Sequence, residues 1–463
     1  MTIMLKIYNS LNNKKEIFRP RKSKQADMFV CGITPYDSPH IGNFRVAINY
    51  DVMARYLRHC GYNVFYLQNV TDIDDKIIKA SREKNIPWQE LTEYYFKEHL
   101  EVSRRLNIKS ISKYAKATKH IKEIIAQIKT LMKKGCAYEK NGNVYFEVGK
   151  FKDYGKLSRQ NLAKLHKSTR LEEDANKKHP YDFVLWKAAK QDEPFWRSPW
   201  GDGRPGWHIE DTAITERFFG AQYDIHGGAT ELKFPHHEAE IAQAESSSGK
   251  KPFVKYWPHA GLLMVNGEKM SKSLGNFITG KEMVEKYGAD NFRFMIISSH
   301  YRSIINYTEN SIAQAKINLS KIRNGADMIK KMKNKTGKNI SVGKFEKKFT
   351  LAMDDDFNTP AAISAIFEMM NYFNQLNPKI EISVESAKKA LAFLKKAENI
   401  FGVSFTASRV AKIPEHIIKL AREREKRRQE NNWAEADKIR EEMLQEGYAI
   451  KDLKKGFEIT TRE

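Results

Sequence analysis

Lys269-Met-Ser-Lys-Ser273 places two lysines three residues apart, with small hydroxyl residues among them and Gly267 and Gly275 on either side. Such a loop stays mobile and can grip a polyphosphate. A second stretch, Cys31-Gly-Ile-Thr-Pro-Tyr-Asp-Ser-Pro-His-Ile-Gly-Asn43, leads from an apolar run, Met28-Phe-Val30, into a helical pattern. The N-terminus of that helix offers free N–H groups and a partial positive charge to phosphates. A third group is metal-like. Phe234-Pro-His-His-Glu-Ala-Glu240 reads as a helix entered after Pro235, so that His236 and Glu240 share one face while His237 and Glu238 point elsewhere. A lone histidine–glutamate pair at this spacing is usually surface electrostatics. Cys31 in the loop, and the acid of Gly206-Trp-His-Ile-Glu-Asp-Thr212, complete a donor set that would suit zinc.

The elements that must position these groups follow from periodicity. Met28–Val30 reads as a buried strand, Phe44 to His59 as a helix with Val46, Ile48, Val52, Met53, Tyr56 and Leu57 at helical spacing, and Val64–Leu67 as the next strand. Strand, loop, helix, strand is the first βαβ unit of a doubly wound parallel sheet, whose crevice lies at the carboxyl ends of the strands. Asn69-Val-Thr-Asp-Ile-Asp-Asp-Lys76 leaves that sheet for another helix, so Thr71, Asp72 and Asp74 are candidates for the crevice or for simple helix capping by Thr71 or Asp72. Residues 86–134 read as helical, 137–148 as extended around an Asn-Gly turn, 150–180 as a polar insertion, and 196–206 as a loop. After Tyr307 the chain reads as an antiparallel helix bundle, restarted at Asn358 or Thr359 with Pro360 at the first helical position.

Composition sets bounds. Of 463 residues, 41% are hydrophobic and 11% aromatic, as in a folded protein of several domains. No apolar run is long enough to span a membrane, and the N-terminus does not read as a secretory signal; cytoplasmic residence is the expectation. The three cysteines, Cys31, Cys60 and Cys136, make no disulfide framework; Cys60, ending an apolar helix, reads as a small core residue. Eighty lysines and arginines stand against 57 acids, a net charge of +23. That excess favours a polyanionic partner such as nucleic acid, or is a general lysine coating of the surface.

Pro39-His-Ile-Gly-Asn43 and Lys269-Met-Ser-Lys-Ser273, in this order and more than 220 residues apart, resemble the paired signatures of class I aminoacyl-tRNA synthetases. With Cys31-Gly32, Thr71-Asp-Ile-Asp-Asp-Lys76, Gly206-Trp-His-Ile-Glu210, Asp224-Ile-His-Gly-Gly228, Phe234-Pro-His-His-Glu238 and Asp354-Asp-Asp-Phe-Asn-Thr-Pro360, the whole chain is similar to the cysteinyl-tRNA synthetase family. The resemblance implies a Rossmann-like α/β catalytic domain in two halves (1–111 and 206–309), a connecting insertion near the tRNA acceptor end (112–205), a helical bundle (310–405) and a C-terminal anticodon-binding domain (406–463). It implies ATP held by Thr34, His40, Gly42, Asn43, Lys269, Ser271 and Lys272, with Mg²⁺. His40, Asn43, Lys269 and Lys272 are the expected catalytic groups, Lys272 the stronger lysine contact. It implies one zinc per subunit on Cys31, Asp211, His236 and Glu240, holding the substrate thiolate, with Asp211 where the family often has cysteine; Glu210 would break the register. Trp207 is expected to close the pocket over L-cysteine, or else to pack in the core, and Thr71 to meet the polar end of the amino acid. The partners implied are tRNA(Cys), ATP and L-cysteine, with a monomeric enzyme. Two rival readings are a ligase of the same core that couples cysteine to an amino sugar, and an inactive RNA-binding relative.

Overall fold

In a computed structural model, residues 4–160, 174–334, 336–376, 381–406, 414–446, 448–452 and 456–461 are described. Part of the polar insertion and part of the C-terminal tail lie outside them. The chain opens with a hairpin, β1 (Lys6–Asn9) and β2 (Lys14–Ile17), and then enters the first sheet strand, β3 (Gln25–Ile33). Helix α1 (Ile41–His59) returns the chain to β4 (Asn63–Val70), and α2 (Asp75–Lys84) and α3 (Trp88–Arg105) lead to β5 (Lys113–Lys116). This last strand pairs parallel with β4. Its Lys-Tyr-Ala-Lys sequence hides it in a stretch expected to be helical, because a lysine-studded edge strand carries little hydrophobic signal. It also places the parallel sheet beyond the expected boundary at residue 111.

After α4 (Ile121–Lys133), an antiparallel sheet is built from β6 (Ala137–Lys140), β7 (Asn143–Phe146), β8 (Phe183–Ala188), β9 (Trp196–Ser198) and β10 (Gly201–Pro205), in the order β6-β7-β8-β10-β9. Asn141 and Gly142, both at positive φ, make the turn between β6 and β7. The stretch 196–206, expected as a loop, is thus a hairpin; pairing with β8 supplies the order that its Pro and Gly content conceals.

The chain re-enters the parallel sheet through α5 (Ile209–Phe219), β11 (Tyr223–Ala229), α6 (His236–Ser248), β12 (Val254–Tyr256) and β13 (His259–Ala260). Strand order is β12-β11-β3-β4-β5, with β13 also on β11 and every pair parallel. From β3 the chain winds one way to β4 and β5, then returns to the other side of β3 with β11. The switch point lies between the ends of β3 and β11, where such sheets bind ligands. Alternate β3 side chains serve opposite cores: Met28 and Val30 pack with α1, and Phe29 with residues of α4, α5 and α6.

β14 (Leu263–Val265), β15 (Glu268–Lys269) and β16 (Ile305–Tyr307) form a small sheet around the lysine loop, with α7 (Gly280–Tyr287) and α8 (Ala289–Ile297) between them. The helices α9 (Glu309–Met332), α10 (Gly343–Asp354), α11 (Thr359–Asn374) and α12 (Val384–Phe401) follow. Asn358 caps α11, and Pro360 is its second residue rather than its first. Residues 1–405 form one compact unit and 406–463 another. The second holds α13 (Glu415–Gln429), α14 (Trp433–Gln445) and a hairpin (Tyr448–Asp452 with Phe457–Thr461) around Ile417, Ala421, Met443 and Ile450. Cys60 is not a core residue: it is the C-cap of α1, past its last turn, and is exposed. Among the described residues no helix is long and apolar enough to cross a membrane.

Candidate active site and metal centre

A cavity of about 580 Å³ opens at the switch point, lined by Cys31, Thr34, Thr71, Trp207, Asp211 and His236 along with His40, Gly42, Asn43, Lys269 and Lys272. The β3–β4 register shifts between Val30 and Ile33, an irregularity of the kind that re-aims side chains beside active sites. Gly32 is required there. Its N–H donates to Asn69 Oδ1 at 2.6 Å, and a Cβ would lie 1.8 Å from the Asn69 carbonyl oxygen.

At the side of the cavity where α1 begins, His40 is the N-cap of that helix. The Gly42 N–H donates to His40 Nδ1 at 3.1 Å, so Nδ1 presents its lone pair and the ring proton sits on Nε2. Burial pulls the His40 pKa down to about 4, which keeps the ring neutral near pH 7 and its Nε2–H a donor. Asn43 Oδ1 accepts from the His40 N–H at 3.0 Å, closing the cap. A Cβ on Gly42 would stand 2.9 Å from the His40 ring. The two lysines reach across the cavity rim to carboxylates, Lys269 to Glu231 and Lys272 to Asp37. Ser271 does not line the cavity; its hydroxyl pairs with that of Ser273 and its N–H donates to Asn276.

At the opposite side, Cys31 Sγ is 3.6 Å from Asp211 Oδ2. His236 Nε2 lies 3.0 Å from the same oxygen and 2.9 Å from Glu240 Oε1. These four donors lie within 4.8 Å of one another, a group that could hold a metal ion. Asp211 and Glu240 are almost fully buried, yet Asp211 Oδ1 and both Glu240 oxygens lack a hydrogen bond of proper geometry. Buried acceptors left without donors are what a cation satisfies. Burial raises the Glu240 pKa to about 8 against the pull of His236. Burial opposes charge on His236, but Glu240 and Asp211 prevail and hold it near 10. Burial, then Glu240 and Asp211, push the Cys31 thiol up. A divalent cation would reverse that last effect.

Glu210 faces away from this group, accepting from Thr71 Oγ1 and, at 3.1 Å, from Asn69 Nδ2. Trp207 is not core. It is 43% exposed and stacks on His236 with ring centroids 4.3 Å apart. Asp72 and Asp74 do not line the cavity: Asp72 accepts from the N–H and hydroxyl of Thr118, and Asp74 caps α2. Neither Thr71 nor Asp72 is the cap. Glu238 does turn away, accepting from the Leu157 and Ser158 N–H groups. His237 does not. Its Nε2 is 3.1 Å from Cys31 Sγ, and His226 Nε2 is 3.5 Å from the same sulfur. The sequence flagged His226 only as part of a motif, without a role.

A parallel sheet with a nucleotide-type crevice, a His-Ile-Gly-Asn helix start and a two-lysine loop define the class I aminoacyl-tRNA synthetase architecture. The family model for the tRNA synthetases class I (C) catalytic domain matches residues 17–317, and that of the DALR domain residues 348–406. A methionyl-tRNA synthetase of Mycobacterium tuberculosis, solved with methionyl-adenylate, superposes with a TM-score of 0.59 at 15% identity, over 81% of this chain and 89% of that one, a likeness of fold. The cysteine–tRNA ligases of Thermococcus onnurineus and Pseudomonas aeruginosa are 44% and 43% identical to this chain, each over 98% of both sequences. The chain belongs to the cysteine–tRNA ligase family.

Proposed function

We propose that this protein activates L-cysteine with ATP and transfers the cysteinyl group to the 3′-terminal adenosine of tRNA(Cys), with zinc on Cys31, Asp211, His236 and Glu240 and Mg²⁺ accompanying ATP. One observation carries the reading: a thiol–imidazole–carboxylate donor set and the N-terminus of α1, with the two-lysine loop, line one cavity. Zinc held there would take the substrate sulfur as thiolate and so select it over the hard, poorly acidic hydroxyl of serine.

In the first step a cysteine carboxylate oxygen bonds to the α-phosphorus of ATP and the bond to the bridging β-phosphate oxygen breaks, releasing pyrophosphate. The protein positions the reactants and neutralises charge. His40 Nε2–H donates to a phosphate oxygen, and the missing Cβ of Gly42 lets the nucleotide approach the backbone. Lys269 and Lys272 exchange Glu231 and Asp37 for the departing pyrophosphate. Trp207 walls the amino-acid end, and Thr71, whose hydroxyl proton is engaged by Glu210, offers a lone pair to the substrate ammonium. In the second step a ribose hydroxyl of the terminal adenosine attacks the cysteinyl carbonyl and AMP leaves. The insertion serves the acceptor end and the C-terminal unit the anticodon; the enzyme works as a monomer in the cytoplasm.

Metal content measured alongside cysteine-dependent exchange of pyrophosphate into ATP tests this. One equivalent of zinc, with exchange supported by cysteine and not serine, is the expected result. Exchange without zinc would remove the metal from selectivity, and no exchange would overturn the enzymatic reading.

A further inference from the structure

Behind the proposed zinc ligands lies a second foursome, Cys31, His226, His237 and Glu240, whose donor atoms again lie within 4.8 Å of one another. It shares Cys31 and Glu240 with the first. Glu240 presents Oε1 to His236 at 2.9 Å and Oε2 to His226 Nε2 at 3.2 Å, so each carboxylate oxygen faces a different histidine. Cys31 Sγ stands 3.1 Å from His237 Nε2 and 3.5 Å from His226 Nε2. Zinc bonds of about 2.0–2.3 Å give tetrahedral edges of about 3.3–3.6 Å; the contacts given for the two foursomes run from 2.9 to 3.6 Å, at or a little below that range.

The deeper set is also built as metal-binding histidines are built, with the other ring nitrogen of each held. His226 Nδ1 meets the Tyr223 hydroxyl at 2.6 Å. His237 Nδ1 meets His259 Nε2 at 2.9 Å, and His259 Nδ1 meets Ser10 Oγ at 2.8 Å. All three imidazoles are buried, and His226 and His237 do not line the cavity.

We propose that Cys31, His226, His237 and Glu240 form a second, internal zinc seat, and that a single ion occupies one seat or the other. The inference rests on the reading of Cys31, Asp211, His236 and Glu240 as the zinc site. Two anions and two imidazoles leave zinc neutral in the deep seat, whereas three anions in the outer seat leave one excess negative charge. The deep set is also the softer, because Asp211 gives the outer seat a carboxylate in place of a nitrogen donor. Without substrate the ion rests in the deep seat, out of reach of the cavity. The thiolate of bound cysteine adds a soft ligand on the cavity side and draws the ion outward, so the metal becomes exposed only when the amino acid is present.

Zinc X-ray absorption on the purified full-length protein, with and without L-cysteine, counts imidazole and sulfur neighbours, and metal analysis gives the stoichiometry. The expected result is one equivalent of zinc with two imidazoles and one sulfur alone, changing to one imidazole and two sulfurs with cysteine. His226→Gln and His237→Gln, each checked for folding by circular dichroism, should keep one zinc but show one imidazole in both states. One imidazole throughout in the unaltered protein overturns the deep seat and leaves the outer one standing. Two imidazoles that survive both substitutions, or two equivalents of zinc, also overturn the proposal. Absence of zinc overturns both seats.

Discussion

In the proposed outer seat, position 211 would set how firmly a metal is held. Its carboxylate is a harder donor than a thiolate, and Asp211 Oδ2 already lies within ligand distance of Cys31 and His236. Asp211→Cys should therefore raise zinc retention against a chelator by at least about tenfold, measured as metal released at a fixed chelator concentration. His236→Ala, which removes the imidazole of the outer seat and leaves the deep seat whole, should keep zinc in the absence of substrate but lose the preference for cysteine over serine, read by metal analysis beside pyrophosphate exchange. Lys272 is paired with Asp37 rather than buried, so Lys272→Ala should fold normally. It should slow pyrophosphate exchange by about 10²–10³-fold while tRNA binding, read by filter retention, stays unchanged. His99 gives a pH prediction. Burial lowers its pKa from 6.5 to about 4, and its Nδ1 has no hydrogen-bond partner. Above pH 6.5 both folded and unfolded chains hold this ring neutral. Between 6.5 and 4 only the unfolded chain takes the proton, so stability falls as pH falls, at up to about 1.4 kcal/mol per pH unit. His99→Phe, stacked likewise on Phe44, should flatten that acid limb in urea titrations.

Among the elements, the end of β3 bears the closest tolerance. Gly32→Ala would drive a Cβ into the Asn69 carbonyl, and β3 would have to part from β4 at the point that aims Cys31. A loss of about 1–3 kcal/mol, with weaker zinc binding, is expected from denaturation and metal analysis. The helix α6 shows why the candidate metal-binding donors were only half legible. His236 and Glu240 follow from i,i+4 spacing, but His237 faces Cys31 as well. From His236 to Glu245 every residue of α6 is buried, so no solvent face exists to tell inward from outward positions. Helical periodicity assigns sides only where one side is wet. The strand β5 escaped notice for the opposite reason, being short, charged and stabilised mainly by its partner strand.

For the whole molecule, the net charge of +23 predicts tRNA binding that weakens steeply with salt. A plot of log affinity against log salt should be linear with a negative slope, and a flat plot would mean that the lysines coat the surface without serving RNA. The chain ending at Phe405, the boundary of the first compact unit, should retain cysteine-dependent pyrophosphate exchange but lose most tRNA charging.

The sequence by itself determined the βαβ start, the Cys31–Asn43 loop that opens α1 and the two-lysine motif, because these depend on neighbours within a few residues. It also determined the donor types, Cys31, Asp211, His236 and Glu240. Strand order, and the packing of α5 and α6 against the sheet, bring these together. β11 pairs with β3 across nearly two hundred intervening residues and sets His226 opposite Phe29, beside Cys31. That pairing, the full burial of α6 and the exposure of Trp207 over His236 belong to tertiary packing. Their partners come from distant segments, and no local spacing encodes them.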